Sequence, residues 1–412
     1  MISVNAVKAM DAADPLAHKR GEFQLPAGKI YLDGNSLGAL PLSVIDRLQA
    51  TVLEQWGDDL ISSWNRHGWI DLPQRVGEKI APLIGAATGQ VICCDSISVN
   101  LFKLLATALH MRPGRSVILS VEDNFPTDLY MAQGLSTLLQ EQACQLQQVS
   151  ESALLDSIDE SVAVLLLSHV NFRSGAILAM QAITAAAHAA GALVIWDLAH
   201  SAGALAVELD ARNIDFAVGC GYKYLNGGPG APAFIYAARR HHSAIKQPLS
   251  GWMGHRDPFA FEPQYRPGEG VQQFMCGTPP ILSLVALDAA LDVLADTSIE
   301  QRRQKSLALG ELFVDLVMQC ELADALQLQS PTQAEQRGSQ LAWSHPQAYG
   351  LCQAWIEHGV TADFREPDIL RVGFSPLYTN FRDIYEAVER LRAVLASGAH
   401  LDPRWQQREK VT

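Results

Sequence analysis

Apolar residues recur along this chain in two distinct patterns. Short, nearly continuous apolar runs end on polar side chains: Ser116–Ser120, Val162–Leu167, Ala192–Asp197 and Ala233–Tyr236. They are too short for helices and rich in Val, Ile and Leu, so they read as strands buried on both faces. Between them, apolar positions return at helical spacing. Pro41 opens a helix running through Trp56, with Val44, Ile45, Leu48 and Val52 on its apolar side. A turn at Asp95–Lys103 enters an apolar helix reaching His110, another helix starts at Leu129, and the alanine-rich stretch Gln181–Ala190 is closed by Gly191. Strands alternating with helices in this way predict an α/β fold built on a parallel, doubly wound sheet.

From about residue 297 the pattern changes. Long helices, Gln301–Cys320 and Asn380–Ala396, surround shorter strands such as Ile369–Phe374, which predicts a smaller α+β domain. The expected division is an N-terminal arm that joins the small domain (1–50), a large domain (51–296) and a C-terminal small domain (297–412). No repeat or low-complexity segment interrupts it.

Composition narrows the function classes. With 412 residues and 48% hydrophobic content, the chain can bury a large core. A formal charge of −13 argues against nucleic acid or an anionic membrane as partner and suits work on small molecules. The densest basic run, Arg239–His242, reads as a solvated helix start. Seven cysteines, with Cys93 and Cys94 adjacent, have neither zinc-ligand nor disulfide-framework spacing, so no metal site is expected and the compartment is reducing. Residues 1–21 lack the apolar core of a signal peptide, and the most apolar region, Ala176–Trp196, is broken by Gln181, His188 and Gly191. A cytoplasmic protein is expected.

The candidate chemistry centres on Lys223. It lies between the apolar run after Asp215 and the glycine-rich turn Asn226–Gly230, flanked by Tyr222 and Tyr224. Partial burial there would lower its pKa and make the amine nucleophilic, as a Schiff-base lysine requires. Asp197 ends an earlier strand, where open α/β sheets place ligand-binding groups. A strand-end acid and a later strand-end lysine together fit pyridoxal phosphate, whose lysine linkage and acid-paired ring nitrogen are its recurring protein contacts. The hydroxyl-rich turn at Asp95–Lys103, with Ile97 and Ser98 at the helix start, is a phosphate site or an ordinary cap. Phe125, Pro126, Thr127 and Asp128 follow a strand; the phenylalanine stacks on a flat cofactor or packs on the core, and the aspartate joins a polar network or caps a helix. Asn35 and Ser36 contact substrate or cap their own turn. Trp56, Trp64 and Trp69 cluster in a chain with 7% aromatics, either as packing or as a wall for an aromatic substrate. Arg371, if held at a domain junction, can clamp a carboxylate with two parallel hydrogen bonds.

From about residue 30 to about residue 385 the chain resembles kynureninase, a fold type I pyridoxal phosphate enzyme with a mainly parallel seven-stranded sheet. The resemblance rests on Gly34–Gly38, Ser98–Leu101, Phe125–Asp128, Asp197–His200, Tyr222–Asn226 and Arg371–Val372, in that order. It implies hydrolytic cleavage of L-kynurenine to anthranilate and L-alanine in tryptophan catabolism, with lesser activity on the 3-hydroxy form. It also implies that Lys223 carries the cofactor, Asp197 pairs with the ring nitrogen, Phe125 stacks, and Asp128, Ser168 and His200 lie around the ring. Ile97, Ser98 and Tyr222 would hold the phosphate, with Trp252 and Thr278 reaching in from the second subunit of a homodimer. Arg371 would bind the substrate α-carboxylate, while Trp64, Gly277 and Thr278 would face its aromatic ring. Tyr222 is the candidate proton relay. Two rivals remain. A cysteine desulfurase would share the fold and would use Cys276 as its one candidate loop nucleophile; a non-catalytic protein would use the phosphate site for another ligand.

Overall fold

The computed structural model describes residues 2–140 and 143–408. Its centre is a seven-stranded sheet of β1 (Val91–Cys93), β2 (Val117–Val121), β3 (Gln145–Val149), β4 (Val162–Ser168), β5 (Leu193–Asp197), β6 (Phe216–Cys220) and β7 (Ala233–Ala237), in the spatial order β1-β7-β6-β5-β4-β2-β3. The strands are parallel except β7, which runs antiparallel to both its neighbours, β1 and β6. The expected doubly wound sheet is therefore mainly parallel, with one reversed strand near an edge.

Alternating residues of each strand supply two different cores, as strands buried on both faces must. Leu119, Leu165, Val194 and Trp196 belong to one; Ile118, Val164, Leu166 and Ile195 belong to the other. The apolar runs announced β2, β4, β5, β6 and β7, but not the three-residue β1. β3 was not announced, because its sequence Gln-Leu-Gln-Gln-Val is that of an edge strand with exposed glutamines.

Two helices differ from expectation. The helix expected from Leu129 begins at Pro126, a residue suited to a first turn because it lacks the N–H that the helix leaves unpaired there. The helix expected to reach Trp56 is α-helical over Leu42–Ala50 and continues as a π-helix over Thr51–Asp58. Val44 is buried, but Ile45 and Val52 face outward, 43% and 40% exposed, so the apolar side is wider than this fold uses.

The smaller unit is a four-stranded antiparallel sheet of Gln327–Leu328, Gln340–Ser344, Ile369–Gly373 and Asp363–Arg365. Helices Ile299–Gln319, Ala348–Glu357 and Phe381–Ser397 cover it around Phe313, Trp343 and Trp355. Val7, Ile30 and Leu32 enter this same core, and Ile30–Tyr31 pairs in parallel with Val360–Thr361. From there the segment Asp33–Gly38 crosses to the large sheet. Asp33 bridges Gly373, and Gly38 N–H donates to the Tyr222 carbonyl at 2.7 Å. This strap ties the small sheet to the loop that carries Lys223.

Candidate active site

Because β1, β2, β4, β5 and β6 share one direction, their carboxyl ends meet at one edge of the sheet. β1 delivers the start of the helix Ile97–Met111, β2 the turn Phe125–Asp128, β4 Ser168, β5 Asp197 with His200, and β6 Tyr222 and Lys223. Together they enclose a cavity of about 270 Å³. Ile97, Ser98, Phe125, Thr127, Asp128, Ser168, Asp197, His200, Tyr222 and Lys223, all expected on sequence grounds, line it.

The lysine loop is closed by its own backbone. Asn226 N–H donates to Lys223 O and Gly227 N–H to Gly221 O, with Asn226 in the left-handed region at φ 56°. Gly221 and Gly227 both lie against Leu287, where a Cβ would approach within 2.7 Å, so the loop sits directly on the helix Ile281–Asp292. Lys223 Nζ thereby points inward, 2.9 Å from His200 Nε2 and 6.0 Å from the centre of the Phe125 ring. Burial lowers the lysine pKa, outweighing the charges of Cys220 and Asp197 that raise it. Burial, followed by the positive charges of Lys223 and Arg371, holds His200 well below its ordinary value, so its imidazole is neutral.

Asp197 and Asp128 form a buried carboxyl pair. Burial raises both; the Asp197 charge raises Asp128 further, whereas Lys223 and the Ala199 N–H, 2.7 Å from Asp197 Oδ1, pull Asp197 back down. Both carboxyls thus titrate above the ordinary range, and Lys223 and the Ala199 N–H offset part of the rise at Asp197. Burial and the neighbouring Cys220 thiol act together on Tyr222, with the thiol first, to keep its phenol protonated.

These residues fit pyridoxal phosphate. Asp128 Oδ1, Ser168 Oγ and His200 Nδ1 are buried around the cavity without a hydrogen-bond partner, an arrangement that a polar ligand satisfies. Ser96 caps the helix Ile97–Met111 by accepting from Val99 N–H, leaving the first-turn N–H groups of Ile97 and Ser98 outside the helical ladder and facing the cavity. Asp197 supplies a carboxyl for a ring nitrogen, Lys223 an amine, and Phe125 an apolar face.

The other expected residues lie elsewhere. Pro126 turns the helix rather than facing the cavity. Trp64 packs edge-on against Trp69 at 6.0 Å, Trp252 is 36% exposed, and Gly277 and Thr278 are exposed; none of the four lines the cavity of this chain. Arg371 does not project freely from its strand. It is buried, with Nε 2.9 Å from Asp363 Oδ1, Nη2 bonded to Asp363 Oδ2 and Nη1 to the Phe172 carbonyl. Asn35 and Ser36 belong to this arginine rather than to the cavity, and Ser36 Oγ accepts from Arg371 Nη2 at 3.0 Å. Sequence reasoning missed Asp363, Arg365 and Phe172. The first two carried a signal, since alternate charged positions on a strand hairpin beside Arg371 place three ionic side chains together.

The chain is 50% identical over 409 residues to a kynureninase of Burkholderia pseudomallei, covering 98% of both chains. The chain belongs to the kynureninase family. A kynureninase of Pseudomonas fluorescens is 47% identical over the full length of both, and the family model for the kynureninase C-terminal domain matches residues 302–391. Among solved structures, a cysteine desulfurase of Thermococcus onnurineus superposes with a TM-score of 0.77 at 16% identity, covering 92% of this chain and 98% of that one. A cysteine desulfurase of Escherichia coli gives 0.76 at 20%, covering 93% and 98%. At such identities the likeness establishes the fold, shared between kynureninases and desulfurases, and not the reaction. Cys276, the one loop thiol considered for a desulfurase, is half-buried, donates to the Leu249 carbonyl at 3.0 Å and stands outside the cavity.

Proposed function

We infer that this member of the kynureninase family hydrolyses the Cβ–Cγ bond of L-kynurenine, consuming one water and releasing anthranilate and L-alanine, and that the residues around Lys223 carry the reaction. The observation behind the assignment of roles is the half-buried Lys223, sharing one cavity with the Asp197 carboxyl and the start of the helix Ile97–Met111. When bound, pyridoxal phosphate supplies a ring that accepts the electron pair released at the substrate α-carbon. Ile97 and Ser98 N–H groups would hold its phosphate, Asp197 would keep a proton at its ring nitrogen, and Phe125 would supply an apolar surface for the ring. Lys223 Nζ, whose pKa burial lowers, takes the α-proton. His200 Nε2 orients that amine. Tyr222 Oη, which retains its proton, belongs to the residue beside Lys223 that also lines the cavity, and acts as a proton relay.

We also propose a cytoplasmic homodimer with shared active sites and less turnover of 3-hydroxykynurenine. Support for the dimer comes from an exposed aromatic cluster. Trp252 lies parallel to Phe261, which is 75% exposed, and edge-on to Phe259, which is 57% exposed. Exposed and outside this chain's cavity, Thr278 and Gly277 fit the same role as contributors to a neighbour's ring pocket. The seven free thiols accord with a reducing compartment, and among the described residues no helix is long and apolar enough to cross a membrane.

The test is anthranilate fluorescence after mixing cofactor-loaded protein with L-kynurenine, with 3-hydroxykynurenine and L-cysteine in parallel and Lys223→Ala as control. Rapid anthranilate release that disappears in the variant is expected. Alanine and sulfide from cysteine, without anthranilate from kynurenine, would leave the fold standing and overturn the reaction.

A further inference from the structure

A second cavity, of about 940 Å³, shares none of its lining residues with the one around Lys223. It opens on the seam between the two units. Ile177, Leu178, Met180 and Leu205 of the large unit make its wall apolar, and Arg303 enters from the small unit. The Ile177 N–H, donating to the Gln336 carbonyl at 2.9 Å, stitches the seam. Arg303 and Arg212, both half-buried, stand in this cavity with their charges incompletely met. Arg303 Nη2 donates to the carbonyls of Ala334 at 3.2 Å and Arg337 at 2.6 Å, its Nη1 has no partner, and it forms no ion pair among the described residues. Arg212 pairs through Nη2 with the exposed Glu208 at 3.0 Å, and its Nε has no partner. Glu151 and Glu335 also line the cavity, but both are exposed, so water and salt screen them more than the guanidiniums.

The two cavities stand back to back. Ser168 lines the one around Lys223, and the next residue, His169, lines the other. His169 Nδ1 and Ser201 Oγ are hydrogen-bonded at 2.9 Å, and Ser201 follows His200 of the active site. The His169 N–H donates to the Asp197 carbonyl at 2.9 Å. Burial, followed by the charges of Arg212 and Arg303, lowers the His169 pKa to about 3, so its ring is neutral and brings no further charge to the cavity.

We propose that the seam cavity is a second ligand site for an apolar carboxylate, its head held by Arg212 and Arg303 and its body on Ile177, Leu178, Met180 and Leu205, and that the occupant acts on Asp197 through His169. A volume of this size with an apolar wall and a few polar groups is that of a small-molecule site, and the wall favours an organic acid over an inorganic anion. Half-buried guanidiniums with unused donors supply the charge-assisted hydrogen bonds that a carboxylate accepts.

The test titrates 2-naphthoate, with 2-naphthamide as its uncharged counterpart, into holoenzyme of the parent chain and of Arg303→Gln, Arg212→Gln and Ala182→Trp. The first two variants each remove a guanidinium, and the third fills the cavity from an exposed position on the helix Met180–Ala189. Loss of a charged hydrogen bond predicts that each arginine variant raises the Kd for 2-naphthoate, read by calorimetry, about tenfold. Ala182→Trp should abolish binding, and 2-naphthamide should bind weakly and alike to the parent and both arginine variants. Occupancy should shift the visible absorbance of the bound cofactor without raising KM for L-kynurenine, and turnover in the absence of 2-naphthoate should be unchanged in all three variants. Should either arginine variant melt well below the parent, Ala182→Trp decides alone. No binding to the parent, or binding that competes with L-kynurenine and is unaltered in the variants, overturns the site. Binding that the variants weaken but that leaves the cofactor absorbance unmoved overturns the coupling through His169.

Discussion

Gly38 makes the sharpest test of the link between the strap and the lysine loop. A Cβ built there would stand 2.4 Å from the Lys223 carbonyl oxygen, 2.4 Å from Asn226 Oδ1 and 2.8 Å from Asn226 Cα. Two of these three atoms are backbone, so the clash cannot be relieved by a side chain swinging away. Gly38→Ala must push the strap off the loop, which overpacks the junction at a cost of ~1–3 kcal/mol. It also stretches the 2.7 Å bond from Gly38 N–H to Tyr222 O, worth about 1 kcal/mol. The sum, about 2–4 kcal/mol, corresponds to a fall in Tm of roughly 2–5 °C for a chain of this size. The matched control is Gly21→Ala, where nothing lies within 4 Å of the new Cβ; there the loss of unfolded-chain entropy makes the change neutral or slightly stabilising. Scanning calorimetry on both variants, with pyridoxal phosphate affinity followed by absorbance, reads the effect. A Gly38→Ala protein melting within about 1 °C of the Gly21→Ala protein, with unchanged cofactor affinity, would refute the strap as a determinant of the lysine loop.

Three further outcomes are expected. Lys103 is fully buried, with Nζ 2.5 Å from Asp95 Oδ2 and bonded to the Phe274 carbonyl; Lys103→Met keeps the packing but strands both partners. Since Asp95 is partly exposed, the cost is about 2 kcal/mol, visible as a lower urea midpoint, together with weaker cofactor binding through the adjoining Ser96 cap. Burial, and then the charge of Asp363, push the Asp33 carboxyl up to about 7, against the opposing pull of Ser36, Arg371 and Arg365; Tyr31 and Tyr378 also lie within its field. As pH rises through 7, Asp33 becomes an anion within the field of Arg371, the arginine expected to bind the substrate carboxylate, so KM for kynurenine should climb; Asp33→Asn should flatten that rise, and an unchanged pH profile in the variant would dismiss it. Tyr222→Phe should slow turnover far more than it weakens cofactor binding, and wild-type turnover in that variant would remove the relay.

Much of the site was legible because its chemistry lies at the ends of apolar runs. Asp197 and Lys223 follow buried strands, and a strand that must be apolar on both faces makes any polar residue at its end conspicuous. The Ser96–Ser98 turn was legible for a related reason, since hydroxyls before an apolar helix mark its start. The reversed direction of β7 was not, because an apolar run such as Ala233–Tyr236 reads the same in either sense. Nor was the internal ion pairing of Arg371: its partner sits eight residues earlier on a neighbouring strand, and only the hairpin register, with Asp363 opposite Arg371, brings them together. The tryptophan cluster misled in part. Trp64 and Trp69 turn toward each other, and Trp56 is 56% exposed, so proximity in sequence did not become one wall.

The strap also sets an order of assembly. The sheet that carries Lys223 is complete in sequence by Ala237, yet the loop carbonyl at Tyr222 is capped by Gly38, whose segment is anchored through Asp33 to Gly373. During vectorial synthesis the large sheet can collapse well before residue 373 leaves the ribosome, but the lysine loop lacks its fixed ceiling until then. A nascent chain halted short of that point should bury its apolar strands and still hold its reactive amine loosely. Cofactor capture thus becomes a late event, tied to the arrival of the second half of the chain.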